Sequence, residues 1–204
     1  LIYTLNTVRN WGESLEGEWT LRVTNAATGA PVTLNSWSIK AYAADSAAPT
    51  VQIFTDEFAT FAARNASRLS IESADGADLN ASAVTTDLMF DLSGGTSQIG
   101  GLEVLLADPQ AFHGLFAGDG DDRLIGNALD NQLMGGRGSN LIDGSAGYDY
   151  ALYAANKSTI VGATKDANGI VTIRTKLGVD TLTNIEEVSC VDDSVTTEYL
   201  ITQN

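Results

Sequence analysis

The chain has little from which to build a covalent brace or a common active site. Among its 204 residues there is one cysteine, Cys190, so no disulfide can form within it. The stretch Val188-Ser-Cys-Val191 alternates like a strand, and Cys190 is expected to be one of its buried residues. There is one histidine, His113, so a Ser–His–Asp arrangement has a single residue to draw on. No His-Glu-x-x-His is present, which excludes that kind of zinc-protease site. Gly95-Thr96-Ser97 faintly echoes a serine-nucleophile segment, but Gln98-Ile99-Gly100-Gly101 does not continue it, and a glycine-rich turn is expected there. His113 is expected to pack or to face solvent.

Positive charge is scarce too: 11 Lys and Arg stand against 26 Asp and Glu, a net charge of −15. That balance argues against nucleic acid and anionic membrane surfaces as partners. No run of about 18 apolar residues occurs, so no helix of the chain is expected to span a membrane. Leu1-Ile-Tyr-Thr-Leu-Asn lacks the basic region and cleavage site of a signal peptide. Apolar residues nevertheless make up 44% of the chain, enough for a packed core.

What is abundant is glycine and acid in a strict register. Between Ala117 and Leu152 a nine-residue pattern runs four times, in blocks beginning at Ala117, Gly126, Gly135 and Gly144. Asp122, Asn131, Asn140 and Asp149 hold the sixth places; Leu124, Leu133, Ile142 and Ala151 hold the eighth. Glycines early in a block permit a tight turn and leave carbonyls unshielded. The last three residues suffice for one short strand whose middle side chain faces an interior. Each block is then one turn and one strand, two blocks make a coil, and turns two blocks apart stack.

The pattern resembles the RTX nonapeptide repeat, a calcium-binding parallel β-roll. The resemblance implies calcium ions, hard cations that take six to eight oxygens, between stacked turns. For one site it implies side-chain oxygens of Asp122 and Asn140 with carbonyls of Gly118, Gly120, Gly135 and Arg137. For the other it implies Asn131 and Asp149 with carbonyls of Asn127, Leu129, Gly144 and Ala146. Leu129 replaces a glycine of the pattern, and Asn replaces Asp at two sixth places, keeping an oxygen but losing the charge. Looser binding than in all-Asp repeats is expected.

On either side of the repeats the sequence reads as β. Residues 1–43 alternate through Trp19, Leu21 and Val23 and again through Trp37, Ile39 and Ala41. Trp11-Gly12-Glu13, Gly17-Glu-Trp19-Thr-Leu21-Arg-Val23 and Leu34-Asn-Ser-Trp37-Ser-Ile39 resemble the end of a proprotein-convertase P-domain, a jelly roll that follows a subtilisin-like protease domain. A few strands cannot enclose a core, so the missing part of that domain, or the protease domain itself, is expected as a partner. Residues 44–50 read as a linker and 51–204 as a second domain. Within it, Asp56 to Ala66 is expected as a helix capped by Thr55. Asp166-Ala-Asn-Gly169 signals a hairpin.

Asp78-Leu-Asn-Ala-Ser-Ala, Phe90-Asp-Leu-Ser-Gly-Gly and Gly118-Asp-Gly-Asp-Asp-Arg-Leu-Ile-Gly-Asn127 resemble the serralysin-type C-terminal domain, as does the later Gly178-Val-Asp-Thr-Leu-Thr-Asn-Ile-Glu186. His113 stands where that family is expected to place a glutamate. The fold expected is mainly β: a parallel β-roll at 117–152 with β-rich caps, the last at 153–204, preceded by an antiparallel jelly-roll fragment. The function implied is a non-catalytic, calcium-binding C-terminal region of a secreted bacterial protease, extracellular and folding on calcium. The rival is an adhesin or surface-layer binding module in which the same roll is a spacer.

Overall fold

The computed structural model describes residues 51–65, 68–94 and 96–202; the jelly-roll-like segment 1–43 and the linker 44–50 lie outside them. Strand β1 (Val51–Thr55) leads directly into helix α1 (Asp56–Asn65). The Thr55 hydroxyl accepts the Phe58 N–H at 3.2 Å, and Asp56 and Glu57 occupy the first turn, where the helix dipole favours acids. Next come β2 (Arg68–Ile71), β3 (Ala77–Ala83), β4 (Leu88–Asp91), β5 (Thr96–Ile99), β6 (Leu102–Leu106) and β7 (Phe112–Phe116). The repeats supply β8 (Arg123–Ile125), β9 (Gln132–Met134), β10 (Leu141–Asp143) and β11 (Tyr150–Tyr153). The chain then continues through β12 (Ile160–Lys165), β13 (Val171–Thr175), β14 (Val179–Thr183), β15 (Glu187–Cys190) and β16 (Ser194–Thr196) to helix α2 (Thr197–Thr202).

The described residues are mainly β and form two mixed sheets. One runs β1-β3-β7-β9-β11-β15-β16, the other β12-β13-β14-β10-β8-β4-β5-β6-β2. Successive repeat strands fall in alternate sheets because each glycine-rich turn carries the chain across to the opposite one. Strands two blocks apart therefore pair in parallel, Leu124 beside Ile142 and Leu133 beside Ala151. Only the middle residue of each three-residue strand β8, β9 and β10 is buried. With Ala151 these eighth-place side chains are between 0% and 3% exposed and join a single apolar cluster. The period thus has a packing cause: a shift by one residue would turn that row outward.

The flanking segments do not stand apart as lids. They continue the same parallel ladders, Phe90 beside Leu124 and Leu115 beside Leu133 upstream, Leu182 beside Ile142 and Val188 beside Ala151 downstream. Antiparallel strands then finish most of the stack: β5 and β6 beyond β4, β13 and β12 beyond β14, and β16 beyond β15. The hairpin at 166–169 joins β12 to β13, with Asp166 accepting the N–H groups of Asn168 and Ile170 at 2.9 Å each. Two expectations need correction. Cys190 lies in β15 but is only half-buried, because the strand ends there against Asp193. Thr96 and Ser97 belong to β5 rather than to a turn.

Candidate functional site

The repeat turns are tied to one another by two staircases of side-chain hydrogen bonds that run in opposite directions. At the fifth place, the earlier turn accepts from the later. Asp87 accepts the Asp121 N–H at 2.9 Å, Asp121 accepts that of Ser139 at 2.7 Å, and the Ser139 hydroxyl accepts that of Val179 at 3.2 Å. Across the other sheet, Asp130 accepts the Tyr148 N–H at 2.8 Å. These fifth-place acceptors went unnoticed in the sequence, although three of them recur in register with the sixth place.

At the sixth place the direction reverses. Asp122 Oδ1 accepts the Leu88 N–H at 2.9 Å, Asn140 Oδ1 that of Asp122 at 3.0 Å, and Asp180 Oδ1 that of Asn140 at 2.9 Å. On the other ladder, Asp149 Oδ1 accepts the Asn131 N–H at 2.8 Å and Glu186 Oε2 accepts that of Asp149 at 2.8 Å. Asp122 and Asn140 are thus brought together, as are Asn131 and Asp149. Asp180 and Glu186 extend the sixth places beyond the four blocks.

Some of the carbonyl candidates pair between the stacked turns. Gly118 O accepts the Arg137 N–H at 2.9 Å, and Arg137 O accepts that of Gly120 at 3.1 Å. Asn127 O accepts the Ala146 N–H at 3.2 Å. A Cβ on Gly126 would lie 2.3 Å from Asn131 Oδ1 and 2.4 Å from Gly144 O, so side-chain and carbonyl oxygens converge there. Gly135 faces the Asn140 amide instead, 2.6 Å from where its own Cβ would be. The second turn departs from the others. Leu129 does not take the positive φ of its glycine counterparts, which is 110° at Gly138 and 126° at Gly147. The buried Asn127 side chain closes this turn by accepting the Leu129 N–H at 2.9 Å. It also donates to the carbonyls of Pro109 and Phe112, at 3.0 and 2.9 Å.

The two aspartates differ from the two asparagines in what they leave undone. Asn140 uses its Nδ2 to donate to Asp180 Oδ1 at 2.8 Å, and Asn131 donates to the His113 carbonyl at 3.4 Å. Asp122 Oδ2 and Asp149 Oδ2 are buried without any hydrogen-bond partner. A carboxylate oxygen so placed costs folding free energy unless a proton or a cation meets it. Burial, with neighbouring acids adding to it, pushes the Asp122 carboxyl up to about 6 and that of Asp149 up to about 7. Both folded values lie above the ordinary one of 3.8. The penalty is therefore absent below about pH 4, where folded and unfolded chains are both protonated, and is complete above pH 7.

An ion fits this donor set. The oxygens are hard, and glycine leaves room beside the backbone where they meet. Among the described residues no three His, Cys, Asp or Glu side chains gather as a metal-holding group, so carbonyls would have to complete any coordination shell. No hydrolytic constellation forms on the residues considered for one. Ser97 is fully buried in β5, where its hydroxyl accepts the Asp91 N–H at 3.0 Å. The His113 Nε2 lies 3.9 Å from an Asp75 carboxylate oxygen.

The proprotein convertase P-domain is the family whose model matches this chain, over residues 1–41. That domain is a non-catalytic part of proprotein convertases, which are usually secreted or extracellular. No curated protein matches the chain. Among the described residues no helix is long and apolar enough to cross a membrane.

Proposed function

We propose that this chain is a non-catalytic, calcium-binding region of a secreted protease of subtilisin-like type. Its nonapeptides would form a calcium β-roll that folds outside the cell and stabilises the parent enzyme or aids its export. The observation that carries the reading is the pair of buried carboxylate oxygens on Asp122 and Asp149 with nothing to meet them. They fall at two of the four places where the repeat calls for a ligand, and the other two places carry amides. Asp122 and Asn140, with carbonyls of Gly118, Gly120, Gly135 and Arg137, would hold one ion. Asn131 and Asp149, with those of Asn127, Leu129, Gly144 and Ala146, would hold another. Calcium would supply positive charge where two buried carboxylates otherwise oppose folding. The P-domain match at residues 1–41 supports the protease parent.

Equilibrium dialysis against calcium, with magnesium as the control, tests the assignment. At least two ions per chain are expected, with magnesium much weaker because it dehydrates reluctantly and demands a regular octahedron. A chain that stays folded and binds no calcium at millimolar concentration would refute the reading.

The raised carboxyls also fix the response to pH. In chelator, lowering the pH from 8 to 5 protonates Asp122 and Asp149 and should raise the urea midpoint. Because the unfolded chain stays largely ionised down to about pH 4, this interval relieves about one pKa unit of the penalty at Asp122 and about two at Asp149. At about 1.4 kcal/mol per unit that is roughly 1–3 kcal/mol per carboxyl as an upper scale. In calcium the trend reverses, since protons compete with the ion, and apparent affinity should fall over the same interval. Parallel pH trends with and without calcium would separate these carboxylates from ion binding.

A further inference from the structure

The stack of turns does not end with the fourth repeat. After the hairpin at 166–169 the chain re-enters both ladders, and Thr183 O accepts the Gly144 N–H at 3.0 Å. The next turn, Asn184 to Glu186, then lies against the fourth repeat as that repeat lies against the second. Asn184 has a left-handed φ of 51°, and its side chain donates to Asp143 Oδ1 at 2.9 Å. Its carbonyl reaches the space beside Gly144. A Cβ on Gly144 would lie 2.1 Å from Asn184 O and 2.4 Å from Asp149 Oδ2. That point is too near the Gly144 backbone to be an ion position, but it shows two oxygens turned toward one small space.

The arrangement repeats that beside Gly126, where Asn131 Oδ1 and Gly144 O lie 2.3 and 2.4 Å from the equivalent point. Asp149 is fully buried, and the oxygen aimed here is the one without a partner; its Oδ1 is taken by the Asn131 N–H at 2.8 Å. Glu186 adds a second carboxylate, held at this turn by the Asp149 N–H at 2.8 Å.

We propose that a further divalent-cation site lies between the fourth repeat and the Asn184–Glu186 turn, formed by Asp149 Oδ2, the Asn184 carbonyl and the Glu186 carboxylate. The site rests on the calcium reading of the repeats and extends it to a turn outside the nonapeptide run. Asp149 then serves two intervals of the stack, its unpartnered Oδ2 facing this one and its Oδ1, which already accepts the Asn131 N–H, facing the second repeat. The neighbouring interval, between the third repeat and Asp180, needs no ion. There Asn140 Nδ2 donates to Asp180 Oδ1 and the Tyr153 hydroxyl to Asp180 Oδ2, both at 2.8 Å, so neither carboxylate oxygen is left over.

Counting bound calcium on the whole chain by equilibrium dialysis, and measuring each step by calorimetry, tests the site. Three ions are expected. Glu186→Gln keeps an oxygen to accept the Asp149 N–H, and should weaken one of the three at least tenfold while sparing the other two. Asp180→Asn should leave all three in place. A wild-type count of two overturns this site and leaves the repeat sites standing, whereas a count of zero overturns both readings. Three sites unchanged by Glu186→Gln would also overturn it. If that variant does not fold, the wild-type count alone decides.

Discussion

In excess chelator at neutral pH, the far-UV circular dichroism of this chain is expected to lose much of its β signal, and calcium should restore it in one cooperative transition. The repeat strands β8, β9 and β10 are three residues long, and each buries a single side chain. Apolar packing alone gives such strands little, about 2 kcal/mol per side chain before chain entropy is counted. Against this stand two buried carboxylate oxygens without partners. An ion that binds only the folded form adds about 2.7 kcal/mol once it exceeds its Kd by about 100-fold. Two such ions would contribute roughly 5 kcal/mol, the scale of a marginal domain's whole stability. Because the flanking strands share the ladders of β8 to β11, they should lose hydrogen-exchange protection in the same transition. With amides at two of the four proposed ligand places, affinity should stay in the range of extracellular modules, about 10⁻⁴ to 10⁻³ M. An unchanged β spectrum in chelator would mean that the flanks hold the stack closed without metal, and the folding switch would have to be given up.

Gly138→Ala should be strongly destabilising. Gly138 has φ of 110°, and an added Cβ would stand 1.9 Å from the Gly120 carbonyl oxygen. Both atoms belong to backbones locked into adjacent turns, so no rotamer change relieves the overlap. Left-handed strain costs about 1–3 kcal/mol, and forced displacement of packed backbone adds a similar amount. A loss of roughly 4 kcal/mol is expected by urea denaturation in saturating calcium. Gly162→Ala, at a strand glycine with nothing within 4 Å, should be neutral or slightly stabilising. Equal effects of the two changes would mean that the turns are not stacked as closely as described.

The four repeat strands could be read in advance because the sequence states their period directly. Each eighth-place residue is apolar between less buried neighbours, and that alternation survives any change of turn detail. The helix after Thr55 was legible for the same local reason, a cap and two acids. Asp180 and Glu186 were not legible as sixth-place residues. Within the repeats, stacked sixth places are 18 residues apart, but Asn140 and Asp180 are separated by 40 and Asp149 and Glu186 by 37. The β12–β13 hairpin is inserted between them, so the period is kept in space and lost in the count. Asn127 was legible only in part. The pattern offers its backbone carbonyl as a ligand, whereas its side chain's hold on Pro109 and Phe112 depends on a segment outside the repeats.

The order of the seven-stranded sheet also sets how the molecule would bear load. Its first described strand, β1, lies at one edge and β16, just before the final helix, lies at the other. At about 4.8 Å per strand the two attachment points are separated by roughly 29 Å along the stacking direction. Tension between them would act across the ladders, opening hydrogen bonds a strand at a time instead of shearing a whole row together. A cation bridging two turns would then act as a rivet between adjacent coils, and calcium concentration would set the force at which the stack pays out chain.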